Sequence, residues 1–228
     1  YLRAKKENYA ARAIYKLEEI DQRFHLLRPG LRVLDLGCWP GSWLQYAAKK
    51  VGDDGLVVGI DLRPVTLALG PPGQHFVADV WTWSPAELGP DVRFDLVVSD
   101  MAPQTTGDKH TDQYKSEALA ARALEIARQA LRPGGHLVAK VFQGGQFPDL
   151  IKQWQAAFQE TKPFHAKNTR TRSSEQYLVG RGMRAAAGTI VERLLADAAR
   201  RGEVDLVAAF ALPLPLEIIS EMMGVPDD

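Results

Sequence analysis

Apolar residues along this chain alternate between short continuous runs and a spacing of three to four residues. The short runs predict β-strands at residues 32–36, 56–61, 75–79, 94–100, 136–142 and 175–179. The wider spacing predicts helices at residues 9–24, 42–50, 116–131 and 147–158. We expect Pro29-Gly30 to end the first helix and Pro133-Gly134-Gly135 to stop the third.

Alternating strands and helices predict an α/β fold with a parallel, doubly wound sheet. Ligands of such sheets bind at the carboxyl ends of the strands, so polar residues at those ends become candidates for a site. The composition shifts near Arg184, and Thr189 with Glu192 forms a possible capping box soon afterwards. We therefore expect a main domain at residues 1–183 and a helical C-terminal extension at residues 184–228.

The composition excludes several classes of protein. The chain has 228 residues, of which 46% are hydrophobic, enough for one α/β core. Its single cysteine, Cys38, excludes an internal disulfide and a multi-cysteine zinc site, and we expect no metal. No apolar segment reaches the roughly 20 residues of a membrane helix, and the first residues lack an apolar signal segment. We therefore expect a cytoplasmic protein that does not bind membranes.

The charges are unevenly distributed although the net charge is zero. Residues 185–228 hold three arginines and eight acidic residues, a net charge of −5, so residues 1–184 carry +5. Two basic clusters stand out within that part: Arg3, Lys5, Lys6 and Arg12, and then Lys162, Lys167, Arg170 and Arg172. Such clusters suit the phosphate backbone of a nucleic acid, although either alone could be an ordinary solvated face.

A glycine-containing turn follows the first predicted strand. Gly37 and Gly41 have the spacing G-x-x-x-G, which differs from the G-x-G-x-x-G of dinucleotide sites and from a phosphate-binding P-loop. This spacing favours a ligand without phosphate. Asp61 and Asp79 end the second and third predicted strands, where carboxylates can bind ribose hydroxyls and an adenine amino group. The pattern indicates S-adenosylmethionine, with a generic turn and helix-capping aspartates as the alternative.

Four charged residues form the candidate catalytic group. Asp100 ends the fourth predicted strand, and Lys140 interrupts the apolar fifth strand, where a lysine needs a partner or a function. If the late strand is antiparallel, Glu175 begins it on the same rim, and Lys16 of the first helix can reach over. A desolvated lysine can take the proton of a ribose 2′-hydroxyl during methyl transfer. The alternative is a structural ion pair between Asp100 and Lys140.

Five segments in order resemble the FtsJ family of ribose 2′-O-methyltransferases, from about residue 4 to residue 182. They are Ala11-Arg12-Ala13-Ile14-Tyr15-Lys16-Leu17, residues 35–43, Ser99-Asp100-Met101-Ala102-Pro103, Lys140-Val141-Phe142-Gln143-Gly144 and Arg172-Ser173-Ser174-Glu175-Gln176-Tyr177. The resemblance implies a Rossmann-like, mostly parallel seven-stranded sheet with one antiparallel strand and helices on both faces. One departure is Gln104, where the family often has asparagine.

The same resemblance implies the site, the cofactor and the substrate. The catalytic tetrad would be Lys16, Asp100, Lys140 and Glu175, with Lys140 as the base. The expected contacts of S-adenosylmethionine are Gly37, Gly41, Trp43, Asp61, Asp79 and Asp100. The expected partner is the large ribosomal subunit, modified at a uridine in the A-loop of 23S ribosomal RNA during ribosome biogenesis, and we expect a monomer. Transfer RNA or another RNA is the alternative substrate.

Two other functions are compatible with the predicted fold, and the C-terminal tail has a resemblance of its own. A small-molecule O-methyltransferase would share the fold, and a non-catalytic RNA-binding ribosome-assembly factor could retain it. Residues 204–226 resemble a helical piece of a bacterial haem-thiolate cytochrome monooxygenase. Because the haem-ligating cysteine segment of those enzymes is missing, we expect neither haem nor oxygenase activity.

Overall fold

The structure, a computed structural model, describes residues 10–11, 13–167, 175–185, 214–215 and 218. The first basic cluster lies outside the described residues, and so do Arg170 and Arg172 of the second cluster. Most of the C-terminal extension lies outside them as well. Helices in the described part are α1 (Ile14–Phe24), α2 (Ser42–Val51), α3 (Lys109–Ala130) and α4 (Phe147–Ala157), with a 3₁₀ turn at Pro85–Leu88. Strands are β1 (Arg32–Leu36), β2 (Leu56–Asp61), β3 (Gly73–Val77), β4 (Phe94–Ser99), β5 (Leu131–Phe142), β6 (Phe158–Phe164) and β7 (Glu175–Met183).

The seven strands form one sheet in the order β3-β2-β1-β4-β5-β7-β6. Strands β1 to β5 are parallel to one another, whereas β7 runs antiparallel to both β5 and β6. The expected mostly parallel sheet with one antiparallel strand is therefore confirmed. Within the described residues, no helix combines the length and the apolarity that a bilayer-spanning segment needs.

Two apolar clusters cover the two faces of the sheet, as expected for a doubly wound fold. One face packs against α3 and α4, with Ala123, Leu124 and Trp154 fully or almost fully buried. The other packs against α1 and α2, with Leu17 and Leu44 at 0% exposure. Burying apolar side chains contributes about 25 cal/mol per Å², so both helix layers stabilise the sheet whose strand ends carry the site.

The helix boundaries differ from those predicted. The first helix begins at Ile14 rather than residue 9, and it ends before Pro29-Gly30 because His25 adopts a left-handed conformation (φ 53°) and donates its N–H to the Asp21 carbonyl. Helix α3 begins at Lys109, earlier than predicted, because the Asp108 side chain caps it by accepting the Thr111 N–H at 2.8 Å.

The third helix ends at Ala130, one residue before the predicted end and three residues ahead of Pro133, as expected for a helix stop. The fifth strand was predicted to begin at residue 136, but β5 begins at Leu131 and includes Pro133-Gly134-Gly135. The pairing of β4 with β5 is irregular there, since Phe94 pairs with Leu131 but Leu96 pairs with His136. The early start of β5 thus comes from pairing with β4, which local turn residues do not reveal.

The outer strands also differ from the prediction. Strand β3 ends at Val77, so Asp79 lies two residues beyond the strand instead of ending it. The sequence pattern did not predict strand β6, because its residues Phe-Gln-Glu-Thr-Lys-Pro-Phe are largely polar. Polar and proline-containing strands of this kind occur at sheet edges, and β6 is an edge strand.

Candidate active site

The carboxyl ends of β1, β2 and β4 lie side by side. Leu36 pairs with Ile60 on one side and with Ser99 on the other, so Gly37, Asp61 and Asp100 follow at one edge. A cavity of ≈ 790 Å³ opens there. Its described lining consists of Gly37, Trp39, Asp61, Leu62, Arg63, Ala78, Asp79, Val80, Trp81, Asp100, Met101, Ala102, Pro103, Gln104 and Leu119.

Two of the lining carboxylates fix the loops that follow the strands. Asp61 Oδ2 accepts the Trp39 N–H at 3.0 Å, and Asp61 Oδ1 accepts the Arg63 N–H at 2.9 Å. Asp79 Oδ1 accepts the Trp81 N–H at 3.0 Å. Both acids thus combine a structural role with a position on the cavity wall, where further lone pairs can receive donors from a ligand.

The two glycines of the turn play different parts. Gly37 has a φ of +77° and lines the cavity, and a Cβ there would lie 2.6 Å from Met101 Cγ. Gly41 has a φ of +108°, and a Cβ would lie 2.8 Å from side-chain atoms of both Val65 and Leu67. Gly41 is therefore required by local packing at the start of α2, and it is outside the described lining.

Lys140 and Asp100 form a close ion pair beside the cavity. Lys140 Nζ lies 3.0 Å from Asp100 Oδ1 and donates to the Asp100 backbone carbonyl at 2.6 Å. The lysine is only 8% exposed. It is outside the described lining and contacts the cavity through Asp100.

A second ion pair joins Lys16 of α1 to Glu175 at the start of β7. Tyr177 lies between the two pairs: its hydroxyl donates to Asp100 Oδ1 at 2.8 Å, and its ring centroid is 6.0 Å from Lys16 Nζ. Tyr177 is also the cross-strand partner of Lys140 in the β5–β7 ladder. The structure thus brings the four predicted catalytic residues together as two ion pairs linked by one phenol.

Burial raises the pKa of Tyr177 well above its usual value, and the negative charges of Asp100 and Glu175 raise it further. The phenol therefore keeps its proton across the physiological range and remains a donor to Asp100. Sequence reasoning did not assign it a role, although its position two residues after Glu175 in an antiparallel strand directs both side chains to the same face.

Asp35 is a further acid that sequence reasoning left without a role. It is 1% exposed in β1, and neither carboxylate oxygen has a hydrogen-bond partner among the described residues. Burial raises the pKa of Asp35 well above its usual value, and the negative charges of Asp100 and Asp61 raise it further. The sequence feature that could have singled out Asp35 is that it is the one acid within an apolar strand.

Comparison with known proteins shows the family of this chain. The profile of the FtsJ-like methyltransferase family matches residues 9–183. The chain is 46% identical to the ribosomal RNA large subunit methyltransferase E of Desulfatibacillum aliphaticivorans over 181 residues, which cover 78% of this chain and 86% of the relative. The chain belongs to the FtsJ-like methyltransferase family.

Two other similarities support this FtsJ-like assignment. The methyltransferase of the same name from Syntrophobacter fumaroxidans is 46% identical over 187 residues, covering 80% of this chain and 93% of the relative. A solved structure from Plasmodium falciparum, provisionally assigned as a ribosomal RNA methyltransferase, superimposes with a TM-score of 0.67 at 25% identity. It covers 77% of this chain and 98% of its own.

Trp43 of this FtsJ-like domain is, like Gly41, an expected cofactor contact that does not line the cavity. It is 2% exposed and outside the described lining. Its indole Nε1 donates to the Ala13 carbonyl at 2.8 Å, and its ring lies 5.9 Å from that of Tyr177. These contacts hold the start of α1, and with it Lys16, against the rest of the site.

The structure describes two residues of the second basic cluster, Lys162 and Lys167. Lys162 forms an ion pair with Glu160 on β6, and the Lys167 backbone N–H bonds to Glu19 at 3.0 Å. Arg170 and Arg172 lie outside the described residues. The predicted RNA-binding role of both basic clusters, and the predicted boundary at residue 184, stay predictions.

Proposed function

We propose that this FtsJ-like methyltransferase transfers a methyl group from S-adenosylmethionine to a ribose 2′-hydroxyl of large-subunit ribosomal RNA. The observation that carries the proposal is the shared Asp100 carboxylate, which borders the cavity and contacts both Lys140 Nζ and the Tyr177 hydroxyl. A donor in the cavity and an acceptor hydroxyl near Lys140 would meet beside this carboxylate.

The donor set of the cavity fits this cofactor. Three carboxylates, Asp61, Asp79 and Asp100, line it, while Arg63 is the single cation of the described lining. That field suits a cationic ligand with hydroxyl and amino donors, and it repels a polyphosphate. Asp61 and Asp79 would hold the ribose and adenine groups, and Leu62, Val80 and Met101 supply apolar walls. When bound, S-adenosylmethionine supplies a methyl group on a positively charged sulfur.

The residues around Asp100 provide the proton transfer that a hydroxyl acceptor needs. For the 2′-oxygen to accept the methyl group, the hydroxyl would have to lose its proton, and Lys140 Nζ would receive that proton. Asp100 holds that amine through its carboxylate and its carbonyl. These two contacts orient the base before the acceptor arrives, and Lys16 and Glu175 form a second ion pair at the same rim.

The ribosomal substrate is supported by the relatives and by charge. Both curated relatives described above are named as methyltransferases of large-subunit ribosomal RNA. The net charge of +5 in residues 1–184 suits an RNA ligand. We propose a uridine in the A-loop of 23S ribosomal RNA as the acceptor, and therefore the ribosome-containing cytoplasm as the place of action.

The test uses labelled S-adenosylmethionine and large ribosomal subunits from cells that lack the A-loop methylation. We expect one labelled 2′-O-methyluridine, mapped by nuclease digestion and mass spectrometry. Bulk transfer RNA and simple phenols serve as parallel acceptors. Label on transfer RNA alone, or on phenols alone, would show that this acceptor is the substrate and that ribosomal RNA is not. Absence of label from all acceptors would favour a non-catalytic assembly factor.

A further inference from the structure

An aromatic ring and a guanidinium are stacked at the wall of the cavity. The guanidinium carbon of Arg63 lies 3.6 Å from the ring centroid of Trp39, and Trp39 is 43% exposed. Both residues belong to the described lining of the cavity. We call this Trp39–Arg63 pair the stacked platform.

The stacked platform is assembled by Asp61. One oxygen of its carboxylate holds the Trp39 backbone N–H at 3.0 Å, and the other holds the Arg63 backbone N–H at 2.9 Å. The loops after β1 and β2 are thereby tied to each other at the edge of the sheet. A ligand that uses the platform therefore meets two side chains whose backbones are already fixed, which lowers the entropy lost on binding.

The charge of Arg63 is available to a ligand. In the part of the chain that the structure describes, its guanidinium forms no ion pair and no hydrogen bond, and the residue is exposed. The other charged groups of the described lining are the carboxylates Asp61, Asp79 and Asp100. Those acids repel a phosphate from the interior, so an RNA backbone approaching the site finds its attractive contact at Arg63.

We propose that the stacked platform binds a nucleotide of the substrate RNA next to the acceptor nucleotide, with its base on Trp39 and its phosphate on Arg63. The inference rests on the proposed function and specifies how that substrate is held. Proteins recognise unpaired RNA by stacking bases on aromatic rings and guanidinium planes, and arginine matches phosphate with two parallel hydrogen bonds. The platform offers both groups within one contact.

The experiment compares Trp39→Ala, Trp39→Phe and Arg63→Gln with the unaltered protein. Binding of an A-loop RNA hairpin is followed by fluorescence anisotropy, KM and kcat are measured on undermethylated large subunits, and S-adenosylmethionine affinity is measured by calorimetry. We expect Trp39→Ala to weaken RNA binding and raise KM by about 5- to 150-fold, the usual effect of losing one stacked base. Cofactor affinity should change less than twofold, and Trp39→Phe should restore most of the loss.

Arg63→Gln has its own expected result. Removing one phosphate contact should reduce the slope of log affinity against log salt by about 0.7 for a single strand. The control variants are Phe76→Ala, an aromatic residue with 42% exposure outside the described lining, and Arg28→Gln, an exposed arginine ahead of β1. Neither control should change RNA affinity more than twofold.

Unchanged RNA binding in Trp39→Ala and Arg63→Gln would overturn the platform. A loss of cofactor affinity as large as the loss of RNA affinity would assign the pair to the cofactor instead. Failure of the proposed function is a separate result, since the unaltered protein would then label no ribosomal RNA. The anisotropy measurement decides on the platform in either case because it needs no turnover.

Discussion

The hydroxyl of Tyr177 donates a 2.8 Å hydrogen bond to Asp100 Oδ1, the same oxygen that lies 3.0 Å from Lys140 Nζ. One carboxylate oxygen therefore accepts a hydrogen bond from a neutral hydroxyl and forms an ion pair with a cation. The phenol keeps its proton because burial, Asp100 and Glu175 raise the pKa of Tyr177. This shared oxygen makes the rate of methyl transfer sensitive to a residue outside the predicted tetrad.

Replacing Tyr177 with phenylalanine should slow methyl transfer. Without the phenol, Asp100 Oδ1 keeps Lys140 Nζ as a partner but loses a hydrogen bond that helps to fix the carboxylate, so the amine is held less firmly toward the acceptor hydroxyl. We expect kcat on undermethylated large subunits to fall at neutral pH. The lost bond to a charged acceptor corresponds to about 1.5–3 kcal/mol.

Tyr46→Phe is the matched control for that experiment. The Tyr46 hydroxyl donates to Asp21 Oδ2 at 3.0 Å in the interior between α1 and α2, so the same kind of bond is lost away from the site. This variant should lose stability in urea unfolding but keep its kcat. An equal loss of kcat in both variants would show that Tyr177 acts only through general stability.

Lys140→Met should abolish methyl transfer while cofactor binding persists. The variant keeps an unbranched side chain of similar size but removes the amine, and a general base typically contributes about 10²- to 10⁴-fold to the rate. Because Lys140 is outside the described lining of the cavity, the affinity for S-adenosylmethionine should stay within about threefold in calorimetry, well under 1.4 kcal/mol. The control is Lys152→Met, which removes an exposed lysine paired with Asp149 on α4. Full activity of Lys140→Met would exclude this residue as the base.

Lys16→Met and Glu175→Gln should be strongly non-additive. The two side chains form an ion pair with side-chain exposures of 19% and 13%, so each single change leaves a partly buried charge without this partner. In a double-mutant cycle on kcat we expect a coupling energy of about 0.5–3 kcal/mol, the range for residues in contact. The exposed pair Arg181–Glu160, with exposures of 44% and 35%, is the comparison and should show no coupling in kcat. Additive losses at Lys16 and Glu175 would mean that the two act independently.

Asp35→Asn should stabilise the protein at neutral and alkaline pH. Because the folded-state pKa of Asp35 is raised above its unfolded value, the contribution of this residue to stability is fully present below about pH 4 and is lost as pH rises. Asparagine has no such dependence, so its advantage should grow with pH, by about 1.4 kcal/mol for each unit of pKa shift.

Urea unfolding between pH 4 and pH 8 measures this difference. Asp53→Asn, in an exposed turn, is the control and should give the same change at both ends of the range. An Asp35→Asn variant that is less stable than the unaltered protein at pH 8 would show that the charged carboxylate has a stabilising partner in solution.

Much of the architecture could be predicted because it follows from local periodicity. Apolar runs at residues 32–36 and 56–61 correspond to β1 and β2 with the same boundaries. The positions of Asp61 and Asp100 at one edge then follow from the parallel direction of the strands. Boundaries failed where tertiary pairing outweighed local preference, as at Pro133-Gly134-Gly135 within β5, and where an edge strand carried mostly polar residues, as in β6.

By itself, the order of residues determined which elements form and which charged side chains stand at their ends, because helix and strand periods are properties of neighbouring positions. Only the tertiary structure decided how those side chains pair. The antiparallel register of β7 puts Tyr177 across from Lys140, and packing of α1 against the sheet gives Glu175 its partner Lys16. Likewise Asp61 joins Trp39 to Arg63 across two loops. Such contacts depend on distances of a few ångströms between distant segments, and those distances arise only when the two apolar faces of the sheet are buried.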